Sequence, residues 1–276
     1  MKGIDDRVHH LPPSATVTVT CSPTRGLEPT LRLTKQLASA GHHAVPHLSA
    51  RLIESKEHLR TILTRLEHCG VSEAFVIGGD ARAAVGPFDS AASLLHEMAT
   101  MQHSIVRIGV AAYPERHPFV SSNELLRALL EKQPHAHYIV NQICFDASLI
   151  GRWLDRARAN GVSLPLYIGF PGVVSTKRLM AIALRIGVGD SARFLGGHVG
   201  TVTKLARSSR YSPETLLANL APWLGESGHG IEGFHINTFN EIESTEEWRA
   251  RALKSARATR SNTFVEEQQR PAGRGT

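Results

Sequence analysis

The sequence predicts an α/β protein of the (β/α)8 TIM-barrel class, with strand one missing from this chain. Three observations predict it. Short Val- and Ile-rich runs alternate with helical stretches without a break, which requires a parallel sheet covered by helices. Most of these runs end in glycine or polar residues, as strands do when their carboxyl ends line the mouth of a barrel. No dinucleotide glycine fingerprint follows the first strand, which counts against the structural alternative, a doubly wound open sheet. Seven strand-plus-helix units are present, one short of the eight that close a barrel, and the shortage falls at the N-terminus.

Residues 4–11 form one short helix before Pro12-Pro13. The spacing then predicts a strand over Thr16–Thr20, a helix over Glu28–Ala40 stopped by Gly41, and a strand over Ala44–Leu48. The helix Lys56–Cys69 puts Leu59, Ile62, Leu63 and Leu66 on one face and closes at Gly70. Phe75–Gly78 is a strand, Ser90–Met101 a helix and Ile105–Val110 a strand; Ser122-Asn123-Glu124 caps the helix Ser121–Lys132. The second half repeats the pattern, with strands His137–Ile143 and Leu166–Gly169 and helices Ser148–Asn160 and Thr176–Arg185. An insertion, Gly189–Trp223, reads as two helices separated by Ser208–Ser212. Ile231–Thr238 is the last strand and Ser244–Ala256 the closing helix. Residues 1–257 are thus expected to form a single barrel domain and residues 258–276 a disordered basic tail.

A chain of 276 residues suits one barrel, since such domains run to about 250 residues. Hydrophobic residues make up 42% of it, enough for a sizeable core. The three cysteines, Cys21, Cys69 and Cys144, are too few and too scattered for a disulfide framework or a zinc site, and suit a reducing compartment. Neither a signal peptide nor an apolar run of ~18 residues is read in the sequence, so a cytoplasmic protein with no membrane partner is expected. The net charge of +6 raises the question of nucleic acid. Residues 249–276 carry seven Lys and Arg against two Glu, so nearly all of the excess sits on the C-terminal stretch. No basic stripe interleaved with aromatics appears, and no nucleic-acid partner is expected.

The residues at the strand ends are Thr20-Cys21, His47, Asp80, Tyr113 with His117, Gln142, Gly169 and Asn240. On one barrel mouth they offer a carboxylate, two imidazoles and several amide groups, a set suited to a heterocycle with many hydrogen-bonding edges. His47, Asp80 and His117 lack a short i, i+4 ligand pair, so a metal is not expected. Each residue also has a structural role open to it. Asp80 after Gly78-Gly79 fits a turn, and His47 after Pro46 fits a satisfied core histidine. Gln142 stands on an apolar strand, where an unpaired amide costs a few kcal/mol, and that favours a ligand. Cys21 and Cys144 read as packed small residues. Gly196-Gly197-His198-Val199-Gly200-Thr201 hints at a phosphate cradle but matches no P-loop spacing.

Taken in order, these segments resemble methylenetetrahydrofolate reductase over about residues 11–252. The specific markers are Pro46-His47-Leu48, Gly79-Asp80, Ala112-Tyr113-Pro114-Glu115-Arg116-His117-Pro118, the strand Asn141-Gln142-Ile143-Cys144-Phe145-Asp146, and Gly233-Phe-His-Ile-Asn-Thr-Phe-Asn240. The resemblance implies a (β/α)8 barrel, an oxidoreductase acting on CH–NH donors, that reduces 5,10-methylenetetrahydrofolate to 5-methyltetrahydrofolate. In the common form of the family NAD(P)H reduces a bound FAD, which passes hydride to the folate. The matching positions imply that Asp80, Gln142 and Asn240 bind substrate, with Asp80 also catalytic, and that Cys21, His47, Tyr113 and His117 face the cofactor.

The chain departs from the flavin-binding pattern. Gly78-Gly79-Asp80 stands where Arg-Gly-Asp is usual, Glu131 falls where a lysine is expected, with Lys132 one place away, and Thr20-Cys21-Ser22-Pro23 replaces a Thr-Tyr-Gly type loop. Two cations that would meet an FAD pyrophosphate are gone. Val17-Thr-Val-Thr-Cys-Ser-Pro23, Ile77-Gly-Gly-Asp80, Gly169-Phe-Pro-Gly-Val-Val174 and Ser191-Ala-Arg-Phe-Leu195 look like the small flavin-independent branch, which implies direct hydride transfer from NADH or NADPH. In the family the general acid is a glutamate on strand one, and this chain starts at Met1-Lys-Gly-Ile-Asp-Asp. Asp5 and Asp6 fall in the wrong element to replace it, and Glu28 lies past the next strand. The expectation is either a misassigned start or a shortened paralogue; a non-catalytic folate- or nucleotide-binding relative and an FAD-dependent reductase are the alternative functions. Oligomeric state is open at this level.

Overall fold

The computed structural model describes residues 5–115, 120–186, 210–224 and 227–269. In chain order its elements are α1 (Asp5–Val8), β1 (Thr16–Val19), α2 (Glu28–Ser39), β2 (His43–Ser49), α3 (Lys56–His68), β3 (Glu73–Ile77), α4 (Ala91–Ala99), β4 (Arg107–Ala112) and α5 (Ser122–Lys132). There follow β5 (Tyr138–Asn141), α6 (Ala147–Ala159), β6 (Leu166–Pro171), β7 (Val174–Ser175), α7 (Thr176–Ile186), β8 (Arg210–Tyr211), α8 (Glu214–Leu224), β9 (Ile231–Asn237) and α9 (Ile242–Gln269).

Strands β1 to β6 and β9 make one seven-stranded sheet in that order, with every ladder parallel. The sheet is an incomplete barrel: seven of the eight strands of a (β/α)8 fold are in place, and β1 and β9 are its edges. Both faces are buried, which is why the strands read as nearly continuous apolar runs. Leu48, Ala74, Val76, Ile108, Val110, Ile139, Leu166 and Ile168 face the helices in the main core. Val45, Phe75, Tyr138 and Val140 form a second core on the inner face, joined by Ile77, Ala111 and Tyr167. At the start of the strands the inner face turns polar. The Arg107 guanidinium lies 4.3 Å from the Tyr138 ring centroid and bonds Glu73 at 2.8 Å and the Tyr167 hydroxyl at 3.1 Å. Gly109 makes room for that stack, since a Cβ there would meet the Tyr138 ring at 2.3 Å.

Side-chain caps set the helix starts. Ser55 accepts from the His58 N–H, Ser90 and Ser121 close capping boxes, and Asp146 accepts from the Ser148 and Leu149 N–H groups. The cap of α5 is Ser121, one residue ahead of the predicted group. β3 and β4 start two residues away from their predicted positions. β3 starts at Glu73 and β4 at Arg107, because these two charged residues pair across the ladder and with each other. Ile105, read as strand, is instead buried in the turn before it.

Within the insertion the structure places β8, which pairs antiparallel with β7 from ahead of α7 in a ladder too short to stand out in the sequence, and α8. Trp223 of α8 packs over Gly151 of α6, where a Cβ would meet its ring at 2.1 Å. The remainder of the insertion, including Gly196–Thr201, lies outside the described residues. Helix α9 runs past residue 258, where the sequence predicts the tail to begin, to Gln269. Among the described residues no helix is long and apolar enough to cross a membrane.

Candidate active site

Asp80 is exposed, on the loop that leaves β3. Gly79 before it holds φ at +92°, and a Cβ there would fall 1.9 Å from Ser49 Oγ. Only glycine fits both demands. Arg51 frames the same loop, its backbone N–H donating to the Gly78 carbonyl at 3.1 Å while its guanidinium donates to the carbonyls of Asp89 (2.9 Å) and Ala81 (3.0 Å). The sequence reading missed Arg51. A cation just beyond a strand end, beside a glycine pair on the next strand, was the available signal.

Tyr113 leaves β4 beside this loop, and burial, with the charge of Asp80 adding to it, raises its hydroxyl pKa. The phenol therefore keeps its proton well above neutral pH. Below it, Lys132 is buried, and its amine donates to the Ala111 carbonyl at 3.1 Å. Burial pushes that amine down to about 8, against the opposing pull of Glu131.

Gln142 follows the last residue of β5. Its N–H donates to the Ala112 carbonyl at 2.7 Å, and its Oε1 accepts from the Ile143 N–H at 3.1 Å. The carboxamide orientation is thereby set, with Nε2 left as a donor. Asn141, buried beside it, bonds Gly169 and the Gln142 carbonyl.

His47 faces the inner side of the sheet with its ring 4.8 Å from that of Phe75. Burial, helped by the proximity of His235, pushes it down to about 3. His235 on β9 is pushed down to about 4 by burial, and its Nε2 lies 3.3 Å from Thr18 Oγ1 on β1. Both imidazoles are neutral at pH 7, so each offers one donor and one acceptor. The sequence reading did not single out His235, although it sits in the quoted Gly233–Asn240 string.

Cys21 is half-buried after β1, with its thiol 3.5 Å from the Gly26 carbonyl, and burial raises its pKa. That is a packed thiol, not an activated one. Asn240 is exposed at the β9–α9 junction with φ +66°, and its carbonyl accepts from Arg7 Nη1 at 2.5 Å. It lines a cavity of about 320 Å³ together with Arg7, His10, Arg210 and Glu243. His117 lies outside the described residues. Glu28 is held by the Arg65 guanidinium at 2.8 and 2.9 Å. Cys144 is fully buried, and burial with Glu115 beside it raises its thiol. Among the described residues no three His, Cys, Asp or Glu side chains gather as a metal ion would require.

The loops after β3, β4 and β5 thus supply an exposed carboxylate, a phenol that holds its proton, and a carboxamide whose Nε2 hydrogens no other described residue takes. Two neutral imidazoles stand on the inner face. This chemistry fits an uncharged polar heterocycle that donates to Asp80 and accepts from Gln142.

The family model for methylenetetrahydrofolate reductase matches residues 3–251. The 5,10-methylenetetrahydrofolate reductase of Pectobacterium carotovorum subsp. carotovorum is 28% identical over 214 residues, covering 74% of this chain and 67% of that one. Those of Salmonella typhimurium, at 26% over 213 residues, and Escherichia coli, at 27% over 215, each cover 74% of this chain and 68% of their own length. A solved structure, an uncharacterized protein from Clostridium thermocellum that binds two copies of 5-methyl-5,6,7,8-tetrahydrofolic acid, aligns at a TM-score of 0.46 and 11% identity, over 89% of this chain and 97% of that one.

Proposed function

We propose that this chain, which belongs to the methylenetetrahydrofolate reductase family, reduces 5,10-methylenetetrahydrofolate with a nicotinamide cofactor as the direct hydride donor. The observation that carries this reading is that Asp80 and Gln142 stand at the same end of β3 and β5, two strands separated only by β4. An exposed carboxylate on a glycine-framed loop accepts from the amino and ring N–H edge of a pterin. Gln142, with Oε1 engaged by Ile143, donates from Nε2 to a pterin acceptor.

The nicotinamide supplies the hydride. The chain's residues hold the folate and manage charge around it. Protonation of the departing ring nitrogen from solvent breaks its bond to the methylene carbon and leaves an iminium cation on the other nitrogen, and Asp80 stabilises that developing charge. Tyr113, its phenol kept protonated by burial and by Asp80, serves as a hydrogen-bond donor beside the same carboxylate. The neutral His47 and His235 line the inner face without adding positive charge against the cation. Holding donor and acceptor carbons together supplies much of the advantage.

A flavin pyrophosphate calls for cations, and the two buried or loop-framing cations near the site, Arg51 and Lys132, spend donors on backbone carbonyls. This supports the flavin-free reading over an FAD-dependent one. A second reading, folate binding without turnover, draws on Glu28, whose carboxylate is held on both oxygens by Arg65 and is not free to act as an acid.

Calorimetric titration of the protein with 5-methyltetrahydrofolate, on wild type and on Asp80→Asn and Gln142→Ala, tests the site. Binding that weakens in both variants supports it; binding unchanged in both removes it.

A further inference from the structure

The ladder between β5 and β6 is short. Ile139 pairs with Leu166 and Val140 with Tyr167. Beyond them the Asn141 side chain stands where the next backbone rung would be: Oδ1 accepts from the Gly169 N–H at 2.9 Å and Nδ2 donates to the Gly169 carbonyl at 3.3 Å. The second Nδ2 hydrogen goes to the Gln142 carbonyl at 2.8 Å. Asn141 is 2% exposed, and both its amide hydrogens and one lone pair of Oδ1 are used on backbone groups. Gly169 is required opposite it, because a Cβ there would meet the Asn141 carbonyl at 2.2 Å. On its other side β6 stays in ladder with β9, Gly169 opposite His235.

We propose that Asn141 is a positioning residue that replaces a ladder rung between β5 and β6 and thereby sets Gln142 for the ligand. The inference rests on the reading of Gln142 as a folate contact. With Ala112 holding its N–H, Asn141 its carbonyl and Ile143 its Oε1, Gln142 has its backbone and its amide oxygen fixed, and among the described residues no protein group takes the Nε2 hydrogens. An apolar residue at 141 would leave Gly169 with unmet buried groups; a carboxylate would set lone pairs against two carbonyls.

The test is a double-mutant cycle on 5-methyltetrahydrofolate binding with Asn141→Asp, Gln142→Ala and the double variant. Asn141→Asp weakens binding by about tenfold, a charge-disrupted hydrogen bond's worth. In the Gln142→Ala background it adds nothing, because it acts through Gln142. A full additional factor in the double variant overturns the proposal, since that marks a structural effect independent of Gln142. NMR of the ligand-free protein decides independently of folate. In Asn141→Asp the Gln142 carboxamide proton pair moves to the positions of a mobile glutamine, and the Ile143 amide exchanges faster. If wild type binds no folate, the functional reading fails, while unchanged Gln142 signals in Asn141→Asp separately overturn the positioning role.

Discussion

Thr18 Oγ1 lies 3.3 Å from His235 Nε2, a contact between the two edge strands of the sheet that spans 217 residues of chain. The edges β1 and β9 have no ladder between them among the described residues, yet their inward side chains meet. The helices outside meet too: Arg7 of α1 donates to the Asn240 carbonyl ahead of α9, and His10, just past α1, lies 3.9 Å from Glu243 of α9. The incomplete barrel is therefore curled, and it sets His235 near His47.

Acid stability follows from that pair. Folded-state values of about 3 for His47 and about 4 for His235 lie below the ~6.5 of an unfolded chain. Between those limits the unfolded state binds more protons, so stability is complete above about pH 6.5 and falls as pH drops. His235→Asn is expected to flatten this dependence in denaturant titrations run across that range. An unchanged slope contradicts the burial of a neutral imidazole.

Gly79→Ala sets a methyl against Ser49 Oγ at 1.9 Å and forces φ +92° on an alanine. A stability loss of roughly 1–3 kcal/mol is expected from strain of this kind, read from the denaturation midpoint. Folate affinity falls with it because Asp80 is displaced. Affinity equal to wild type in a folded variant contradicts the role given to the loop.

Asp80 is the second cause, after burial, of the raised Tyr113 pKa. Asp80→Asn removes the negative neighbour, so the phenolate forms at lower pH than in wild type. Ultraviolet titration against an Asp80→Asn, Tyr113→Phe control isolates this residue. Movement in the opposite direction, or none, means the two side chains do not face each other.

Lys132, at about 8 when folded, lies below the ~10.5 of an unfolded lysine. The unfolded chain holds the extra proton between the two values, so stability rises with pH across that window. Lys132→Met is expected to remove the rise. Persistence of the rise assigns it to another group.

The parallel sheet was legible because both of its faces are buried. Val, Ile and Ala fill the strands, and glycine or polar residues mark where each one ends, as at Ile77-Gly78-Gly79-Asp80. Asp80, Tyr113 and Gln142 were placed at strand ends by that rule, since a strand end is visible in one dimension. What stayed hidden depends on cross-chain contacts. Asn141 looks like one more polar residue at a strand end until Gly169 is opposite it. Arg51 shows its part only when the carbonyls of Ala81 and Asp89 are seen around it. Asn240 was grouped with the mouth by its position after β9, but the consecutive left-handed residues Phe239 (φ +48°) and Asn240 turn the chain toward α1.

The central claim is direct hydride transfer to a folate, and turnover tests it most directly. Purified protein, shown by its visible spectrum to carry no flavin, is mixed with NADH and 5,10-methylenetetrahydrofolate while NADH absorbance and 5-methyltetrahydrofolate are followed together. The account predicts NADH loss matched by product, absent in Asp80→Asn. Turnover that appears only on adding FAD, or tight folate binding with no NADH loss, contradicts it.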